Sequence, residues 1–429
     1  MKDAQVEEPV DKDEPLVFKM STKDDDSKAK RKDKGITGPA RHLVKDIGPR
    51  APGSPGENRA SRFIERELKS LDLDADIQRF HTPATTAWSE FFPHLFLTVG
   101  VLLFPLSNHL SYALVCVGFI TFLFEEFGRS PFAWLQRYRR SENVITRFNP
   151  YKEPERTVVI LAHIDSPRSS FYYHPGVVRL YRTAFLVDFL FQSLLFMLFT
   201  LLYGGSLLSM GEERLDVLWK LGLLFLIPPA VALLALLYKG IFGKATSGGN
   251  DNASGVAVLL QLAKVYSRRK PHNTELWLAY TGAGDAGAMG LKRLTSKYRR
   301  DLRGAYFIVL DQVGRGFPVC YRREGRLIPF RGNRHLLSLS RRISDIHAHY
   351  GVVFKRNSLY ISEGYQLLSR GKRALTISSR EKSRYPRYWR WQKDDYSNID
   401  PRTLRLTADF VQAVVDNIDR GNLKKKKKK

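Results

Sequence analysis

The sequence is poor in cysteine, and the two cysteines that it has differ in their surroundings. Cys116 lies in an apolar run, and Cys320 lies in a basic, polar segment of the 429-residue chain. These positions do not suggest a disulfide framework, and no Cys-x-x-Cys pair is present that would form a thiolate zinc site. A reducing compartment is therefore the expected environment.

The sequence also lacks an apolar segment at its N-terminus. Residues 1–34 consist mainly of charged and polar side chains, with an acidic cluster followed by a basic one. A secretory signal peptide needs an apolar core of several residues, so this segment is not one. We expect residues 1–34 to form a disordered cytosolic tail.

Acidic residues are scarce relative to basic ones. The chain has 69 Lys and Arg against 43 Asp and Glu, which gives a formal net charge of +26. Such an excess favours an anionic partner, namely lipid headgroups, nucleic acid or an acidic ligand. Residues 380–393 mix arginines with aromatic side chains, a pattern that suits either nucleic-acid stacking or a membrane-interface belt. The membrane interface is the preferred interpretation, and nucleic acid is not an expected partner.

Apolar residues are concentrated in four stretches. They are residues 91–106, 110–124, 184–208 and 215–242. Because a helix needs roughly 20 apolar residues to cross a bilayer core, the second pair is long enough and the first pair is short. We expect two transmembrane helical hairpins, at residues 91–126 and 183–242, with a buried core hairpin as the alternative for the first.

The flanks of these hairpins predict an orientation. Each hairpin returns the chain to its starting side, where many cations lie close to the helix ends, among them Arg129, Arg137, Arg179, Lys239 and Lys244. The positive-inside bias makes this side cytoplasmic, so both termini and the remaining domain are expected there. A bacterial inner membrane is favoured, and the endoplasmic reticulum membrane is the alternative. The lysine run at residues 424–429 is compatible with either one and with contact to anionic lipid.

The rest of the chain alternates between predicted strands and helices. Strands are predicted at residues 75–80, 143–148, 157–162, 274–280, 305–310 and 374–377. Helices are predicted at residues 56–71, 253–266, 286–298, 334–350 and 401–418. This alternation is typical of an α/β fold with a mainly parallel sheet and helices on both faces.

Polar side chains follow the predicted strands at the edge where such sheets bind ligands. The relevant positions are His163 and Asp165, Asn250 and Asp251, Gly284 and Asp285, and Asp311. One His and several Asp side chains at neighbouring strand ends can converge on a cation such as zinc. The alternative for each loop alone is that Asp and Asn cap helices while Gly makes turns.

Seven short motifs occur in the order of a known family. They are GPRAPGS at 48–54, NVI at 143–145, AHIDS at 162–166, NASG at 252–255, SE at 362–363, RG at 370–371 and IDP at 399–401. With the hairpins excluded, residues 35–423 resemble the zinc aminopeptidases of metallopeptidase family 28. That family includes bacterial leucyl aminopeptidases, glutaminyl cyclases and inactive members such as the transferrin receptor and nicastrin. The resemblance implies a peptidase-like domain in three parts, at residues 35–90, 127–182 and 243–423.

The resemblance also implies a site with two zinc ions, bridged by a carboxylate and a water that a Glu deprotonates. His163 and Asp311 match two metal ligands, and Asp285 stands at a third position with a shorter side chain. Asp165 and Asp251 match residues behind the ligands. Zinc is the cofactor that the resemblance implies. His174 follows the His163 loop in the sequence, and that position makes it a candidate for a substitute ligand.

Three positions depart from the family pattern. Asn250 stands where a bridging Asp is expected, Gly284 where the catalytic Glu is expected, and Arg390 where the last His ligand is expected. No His follows His349, so the loss of that last ligand holds in any alignment register, including one that places Tyr396 there. We expect the guanidinium of Arg390 to replace a cation by pairing with Asp285.

These departures favour a membrane-anchored pseudopeptidase that binds a peptide or protein partner. The alternative is an active zinc aminopeptidase with an atypical, single-metal site. A third interpretation is a basic membrane protein that binds anionic lipid or nucleic acid. Because the second hairpin is inserted beside the predicted site, the cleft is expected close to the cytoplasmic membrane face.

Overall fold

The structure is a computed structural model that describes residues 35–381, 383 and 385–423. The predicted N-terminal tail at 1–34 and the lysine run at 424–429 lie outside the described residues.

Nine strands form one sheet within the described residues. They are β1 (Asp76–Pro83), β2 (Tyr138–Phe148), β3 (Arg156–His163), β4 (Thr274–Thr281), β5 (Tyr306–Leu310), β6 (Phe317–Glu324), β7 (Phe330–Arg331), β8 (Val353–Asn357) and β9 (Arg373–Arg380). Their order across the sheet is β1-β2-β4-β3-β5-β9-β6-β7, and β8 pairs with β6.

The sheet is mixed, so the prediction of a mainly parallel sheet holds only for its centre. Strands β4, β3, β5 and β9 run parallel to one another. Strands β1, β2, β6 and β7 join through antiparallel ladders, while β8 runs parallel to β6. At one edge of the sheet the antiparallel pairing has a local cause. A short turn joins β6 to β7, and strands joined in this way pair antiparallel.

Eleven α-helices flank or extend the sheet within the described residues. They are α1 (Pro55–Lys69), α2 (Ala87–Leu102), α3 (Asn108–Glu126), α4 (Tyr181–Leu207), α5 (Glu212–Phe225), α6 (Ile227–Phe242), α7 (Ser254–Arg268), α8 (Met289–Lys297), α9 (Arg334–Ile346), α10 (Glu363–Leu368) and α11 (Pro401–Asp419).

Both faces of the sheet are buried, as the sequence predicted. Side chains alternate along a strand, so Val158 and Ile160 of β3 face one core, which includes α1, α7, α9 and α11. Val159 and Leu161 face a second core, which includes α8 and α10. The continuous apolar run of β3 is thus explained by burial on both sides.

The predicted helices and strands of the domain are present with small differences at their ends. Strands β6, β7 and β8 and helix α10 were missed by the sequence analysis. Exposed arginines interrupt the apolar pattern of β6 and β8, which hides the strand signal.

Helices α2 to α6 form a separate bundle around a core that includes Leu97, Val115, Leu195 and Leu226. Helix Asn108–Glu126 and the segment Val178–Leu207 are long and apolar enough to cross a membrane. Helices α5 and α6 meet at a bend of 43° and would together make a third span. Helix α2 has 16 residues and is shorter than the roughly 20 that a span needs. Two or three candidate spans therefore stand against the four expected, and the transmembrane hairpins are not confirmed.

The bundle contacts the sheet domain at one of its ends. Arg326, in the turn between β6 and β7, forms an ion pair with Glu126 at the end of α3. The Tyr365 hydroxyl donates a hydrogen bond to the Glu126 carbonyl oxygen at 2.8 Å. At the opposite end of the bundle, His109 lies beside Tyr203, with 3.1 Å between the ring nitrogen and the hydroxyl. The two chain reversals of the bundle are therefore on the same side, away from the sheet.

Candidate functional site

Three side chains from neighbouring strand ends converge in the sheet domain. His163 is the last residue of β3, and Asp311 directly follows the adjacent strand β5. The Nε2 atom of His163 lies 3.3 Å from Oδ1 of Asp251 and 3.9 Å from Oδ1 of Asp311. All three side chains are buried, so the folded protein places two carboxylates against one imidazole with little water.

The loop that carries Asp251 is held by the carboxylate of Asp394. Oδ1 of Asp394 accepts a hydrogen bond from the backbone N–H of Asn250 at 2.8 Å, and Oδ2 accepts one from Asp251 at 3.0 Å. Burial raises the pKa of Asp394 to about 7. This anchor aims the Asp251 carboxylate at His163.

Asn250 faces away from the three converging side chains. Its Oδ1 accepts a hydrogen bond from the backbone N–H of Gly314 at 2.8 Å. The carboxylate beside His163 thus belongs to Asp251, which the sequence analysis placed behind the ligands, and not to position 250. The departure expected at Asn250 does not remove a carboxylate from the site.

Asp311 is held from its other side by an aromatic hydroxyl. Tyr360 donates a hydrogen bond from its hydroxyl to Oδ2 of Asp311 at 2.7 Å. Burial alone would raise the pKa of Asp311, but the neighbouring His163 and the Tyr360 hydroxyl together outweigh burial, so the pKa is lowered. Asp311 is therefore an ionised carboxylate at neutral pH.

These three residues fit a divalent cation such as zinc. Their ligand atoms lie within 4.8 Å of one another, and the Nε2 to Oδ1 distances suit a zinc with bonds of about 2.0–2.2 Å to N and O. Oδ2 of Asp251 and Oδ1 of Asp311 are buried without a hydrogen-bond partner. Buried unpaired carboxylate oxygens are costly unless something positive satisfies them.

Asp165 orients both His163 and the neighbouring loop. Nδ1 of His163 lies 3.0 Å from the carbonyl oxygen of Asp165, which leaves Nε2 free to face the two carboxylates. The carboxylate of Asp165 accepts hydrogen bonds from the backbone N–H groups of Gly284 at 2.6 Å and Asp285 at 2.9 Å. Asp165 thus joins the β3 end to the β4 end.

Arg390 pairs with Asp285 at the edge of the site. Its Nη2 donates to Oδ1 of Asp285 at 2.6 Å. Burial raises the pKa of Asp285 to about 6, although Arg390 opposes that rise. Two further cations, Arg168 and Lys239 of α6, line the same small void as this pair. Positive charge from the protein therefore surrounds Asp285.

Gly284 lies against the imidazole of His163. A Cβ at position 284 would come within 2.5 Å of the His163 Cβ and 2.6 Å of its Cγ. The position expected for the catalytic Glu therefore has no room for a side chain in this backbone conformation.

Glu363 is a buried acid of this site to which the sequence analysis assigned no role. It lines the same small cavity as His163, Asp251 and Asp311. Its Oε1 accepts a hydrogen bond from the Thr281 hydroxyl at 2.8 Å, whereas its Oε2 is buried without a partner. Burial raises the pKa of Glu363 to about 7. The SE motif at 362–363 marked this loop, but only the fold brings it beside His163.

The cavity among these residues has a volume of about 20 Å³, which is room for a single ion or water. His174, expected as a substitute ligand, is exposed and packs its ring against Trp391 at 5.1 Å. It does not line the cavity.

A sequence profile of peptidase family M28 matches residues 237–415. The aminopeptidase from Aneurinibacillus sp. strain AM-1 superposes with a TM-score of 0.54 at 16% identity, covering 91% of this chain and 94% of that chain. The zinc aminopeptidase BSAP from Bacillus subtilis gives 0.53 at 14% identity, covering 90% and 95%. A glutaminyl cyclase from Tannerella forsythia gives 0.52 at 14% identity, covering 90% and 98%. The predicted resemblance to peptidase family M28 is confirmed.

The chain therefore shares its fold with zinc aminopeptidases and a glutaminyl cyclase, and at identities of 14–16% the likeness shows the fold alone. A probable zinc metalloprotease from Pyrenophora tritici-repentis (strain Pt-1C-BFP) is 38% identical over 68 residues. That stretch spans 16% of this chain and 15% of the length of that relative. The zinc aminopeptidases among these structures share the fold of the domain in which His163, Asp251 and Asp311 converge.

Proposed function

We propose that this chain is a membrane-attached M28 pseudopeptidase that binds one zinc ion through His163, Asp251 and Asp311 and holds a peptide or protein partner. The observation that carries the proposal is the 2.6 Å contact between Arg390 and Asp285. That contact stands where the family resemblance implies a second metal ion.

The donor set favours one zinc ion. Imidazole and carboxylate are both ligand types that bind zinc, and zinc sites with three protein ligands keep a fourth position open. When bound, the ion would supply Lewis acidity at that open position. Asp394, Tyr360 and Asp165 hold the three donors from behind through the contacts described above.

The charges around Asp285 disfavour a second zinc ion. At the position where the family resemblance implies a second zinc ion, Asp285 is the single acidic side chain retained. Arg390 already neutralises its charge. Arg168 and Lys239 line the adjoining void, so a divalent cation there would meet three positive groups. Gly284 carries no group that accepts a proton, which removes the acid–base step that the family's Glu performs.

The membrane attachment rests on the bundle. Several of its large apolar side chains face outward, including Met197 at 66%, Leu201 at 57% and Leu234 at 64% exposure. Lys239 of α6 lies beside the Arg390–Asp285 pair, so the bundle reaches the edge of the site. A partner that is itself membrane-attached would meet the site without leaving the bilayer surface.

A second candidate function is hydrolysis at a single zinc ion, with Glu363 as the proton acceptor in place of residue 284. Glu363 lies in the same cavity with one free carboxylate oxygen, and burial raises its pKa to about 7. A general base with a pKa near the working pH is effective. The cavity would have to open to admit a substrate.

Zinc quantification on the detergent-purified chain tests the proposal. We expect about one zinc per chain in the wild type, none in Asp251→Asn, and no change in the matched control Asn250→Asp. Two zinc ions per chain, or loss of zinc in the Asn250→Asp control, would contradict the assignment.

Turnover of aminoacyl p-nitroanilides separates the two candidates. The pseudopeptidase predicts no turnover above the level of Asp251→Asn. Turnover that disappears in Glu363→Gln while zinc content stays at one per chain would establish the hydrolase instead.

A further inference from the structure

A second cavity, lined by residues of β6, β7, β8 and α9, shares no residue with the zinc site. Its volume is about 590 Å³. Six arginines line it: Arg322, Arg323, Arg331, Arg334, Arg341 and Arg356. We refer to it as the arginine cavity.

Three of these arginines form one row across three neighbouring strands. Arg323 of β6 stands opposite Arg331 of β7 and, on its other side, opposite Arg356 of β8. Residues directly opposite in adjacent strands have Cβ atoms about 5 Å apart, and like charges there are destabilising. Arg334 and Arg341 of α9 lie two helical turns apart on the face that closes the cavity.

Within the described residues, no acid balances this charge. Among residues 35–381, 383 and 385–423, none of the six arginines has a carboxylate within 4.0 Å, and no Asp or Glu lines the cavity. Elsewhere the fold pairs exposed arginines readily, as in Arg269 with Asp416 and Arg315 with Glu381. A cluster of unpaired cations that the fold holds together is typical of a site for an anion.

The cavity also has a defined shape and floor. Leu337 and Phe354 supply apolar surface, and the Arg341 guanidinium lies 5.1 Å from the centre of the Phe354 ring. Ser338 adds a hydroxyl between Arg334 and Arg341. A volume of this size is that of a small-molecule site.

We propose that the arginine cavity binds a small ligand that carries two or more phosphate groups. A guanidinium offers paired N–H donors that match two phosphate oxygens at once. Six such groups around one cavity require more negative charge than a single carboxylate or phosphate provides.

The position of the cavity suggests two sources for such a ligand. Arg323 and Arg331 flank the turn whose Arg326 pairs with Glu126 at the end of α3. The cavity is therefore close to the end of the bundle that faces the sheet. A soluble polyphosphate and the headgroup of a phosphorylated lipid in the adjoining membrane surface present the same chemistry to these arginines.

The test uses the full chain in detergent and inositol hexakisphosphate as the probe, followed by calorimetry. We expect micromolar binding that weakens as salt is raised, because screening reduces charge attraction. A triple variant, which we call the row variant, carries Arg323→Gln, Arg331→Gln and Arg356→Gln. It should weaken binding at least tenfold. The matched control variant removes the same charge from three exposed positions outside the cavity and should retain binding. It carries Arg299→Gln, Arg300→Gln and Arg303→Gln.

Thermal unfolding shows whether the row variant is folded. Without the probe, the row variant should unfold at the same temperature as the wild type or higher, because like charges have been removed. With the probe, the wild type should gain stability and the row variant should not. No binding at millimolar probe, or equal loss in the row and control variants, would overturn the proposal.

Two further binding experiments identify the source of the ligand and its chemical class. If the ligand is a headgroup, nanodiscs that contain phosphatidylinositol bisphosphate should compete with the soluble probe. Phosphatidylserine nanodiscs of equal charge are the comparison and should not compete. Competition by both or by neither still leaves the soluble polyphosphate as a ligand. Tighter binding of single-stranded RNA than of the probe, lost in the row variant, would replace the proposal with nucleic-acid binding.

Discussion

At the scale of single residues, Gly284 shows how close packing limits the site. A methyl group on this residue would meet the Cβ of His163 at 2.5 Å. Overpacking of this kind costs about 1–3 kcal/mol. We expect Gly284→Ala to lower the free energy of unfolding by that amount and to reduce zinc content, as measured by urea unfolding and metal analysis. Gly38→Ala is the control, since nothing lies within 4 Å of the added Cβ there; equal effects in both would refute the steric explanation.

Arg390 provides a second prediction at this scale. Removing the guanidinium in Arg390→Ala leaves Asp285 as a buried, unpaired carboxylate, which costs about 3 kcal/mol. Zinc content should stay at one per chain, since Arg390 contacts none of the three proposed ligands. A gain of a second zinc ion without loss of stability would contradict the replacement of a cation by Arg390.

The stability penalty of Arg390→Ala should depend on pH. Burial raises the pKa of Asp285 to about 6 in the folded wild type, above roughly 4 in an unfolded chain. A raised folded pKa means that the folded state gains stability from protonation as the pH falls from about 6 towards 4. Without Arg390 the pKa rises further, so the penalty should be smaller at pH 5 than at pH 8. Urea unfolding at both values measures this, and a penalty independent of pH would show that Asp285 is not its source.

At the scale of elements, the loop between α6 and α7 depends on Asp394. Its carboxylate accepts hydrogen bonds from two consecutive backbone N–H groups, at Asn250 and Asp251. Losing a partner that orients a ligand typically costs 10–100-fold in metal affinity. We expect Asp394→Ala to weaken zinc binding by about that factor in a competition titration with a chelator. Asp395→Ala, at an exposed neighbour, should leave the affinity unchanged; a similar loss in both would point to general unfolding of the segment.

The strands at the edge of the sheet show why part of the fold escaped the sequence analysis. The central strands are buried on both sides and are read directly as apolar runs. Strands β6 and β8 place arginines on one face, so their pattern resembles a polar loop. Pairing with β9 decides that β6 is a strand, and that pairing joins residues about 60 positions apart.

At the scale of the whole molecule, the bundle predicts the accessibility of its two ends. His109 and Tyr203 lie together at the end away from the sheet, near Ser209. In a chain with Cys116 and Cys320 replaced, Ser209→Cys should react with an impermeant thiol reagent from the outer side of intact cells. Ser296→Cys, on the sheet domain, should react only after lysis. Reaction of both in intact cells, or extraction of the protein by alkaline carbonate, would contradict membrane spanning.

The candidate site could be predicted in part. His163, Asp311 and Asp285 follow apolar strands, and the ends of parallel strands meet at one edge, so their convergence was readable from the sequence. Glu363 could not be predicted as a site residue, because it begins a short helix that follows β8, a strand with a weak sequence signal. The sequence also could not show whether Asn250 or Asp251 faces His163, since both occur in one irregular loop without a repeating pattern.

The sequence by itself determined the alternation of strands and helices, the apolar stretches and the residue types at the strand ends. Those features depend on local patterns of burial and charge. The tertiary structure alone decided that Asp251 faces His163, that Arg390 reaches Asp285 across 105 positions, and that six arginines surround one cavity. Such contacts follow from backbone torsions and chain crossings, which no local pattern specifies.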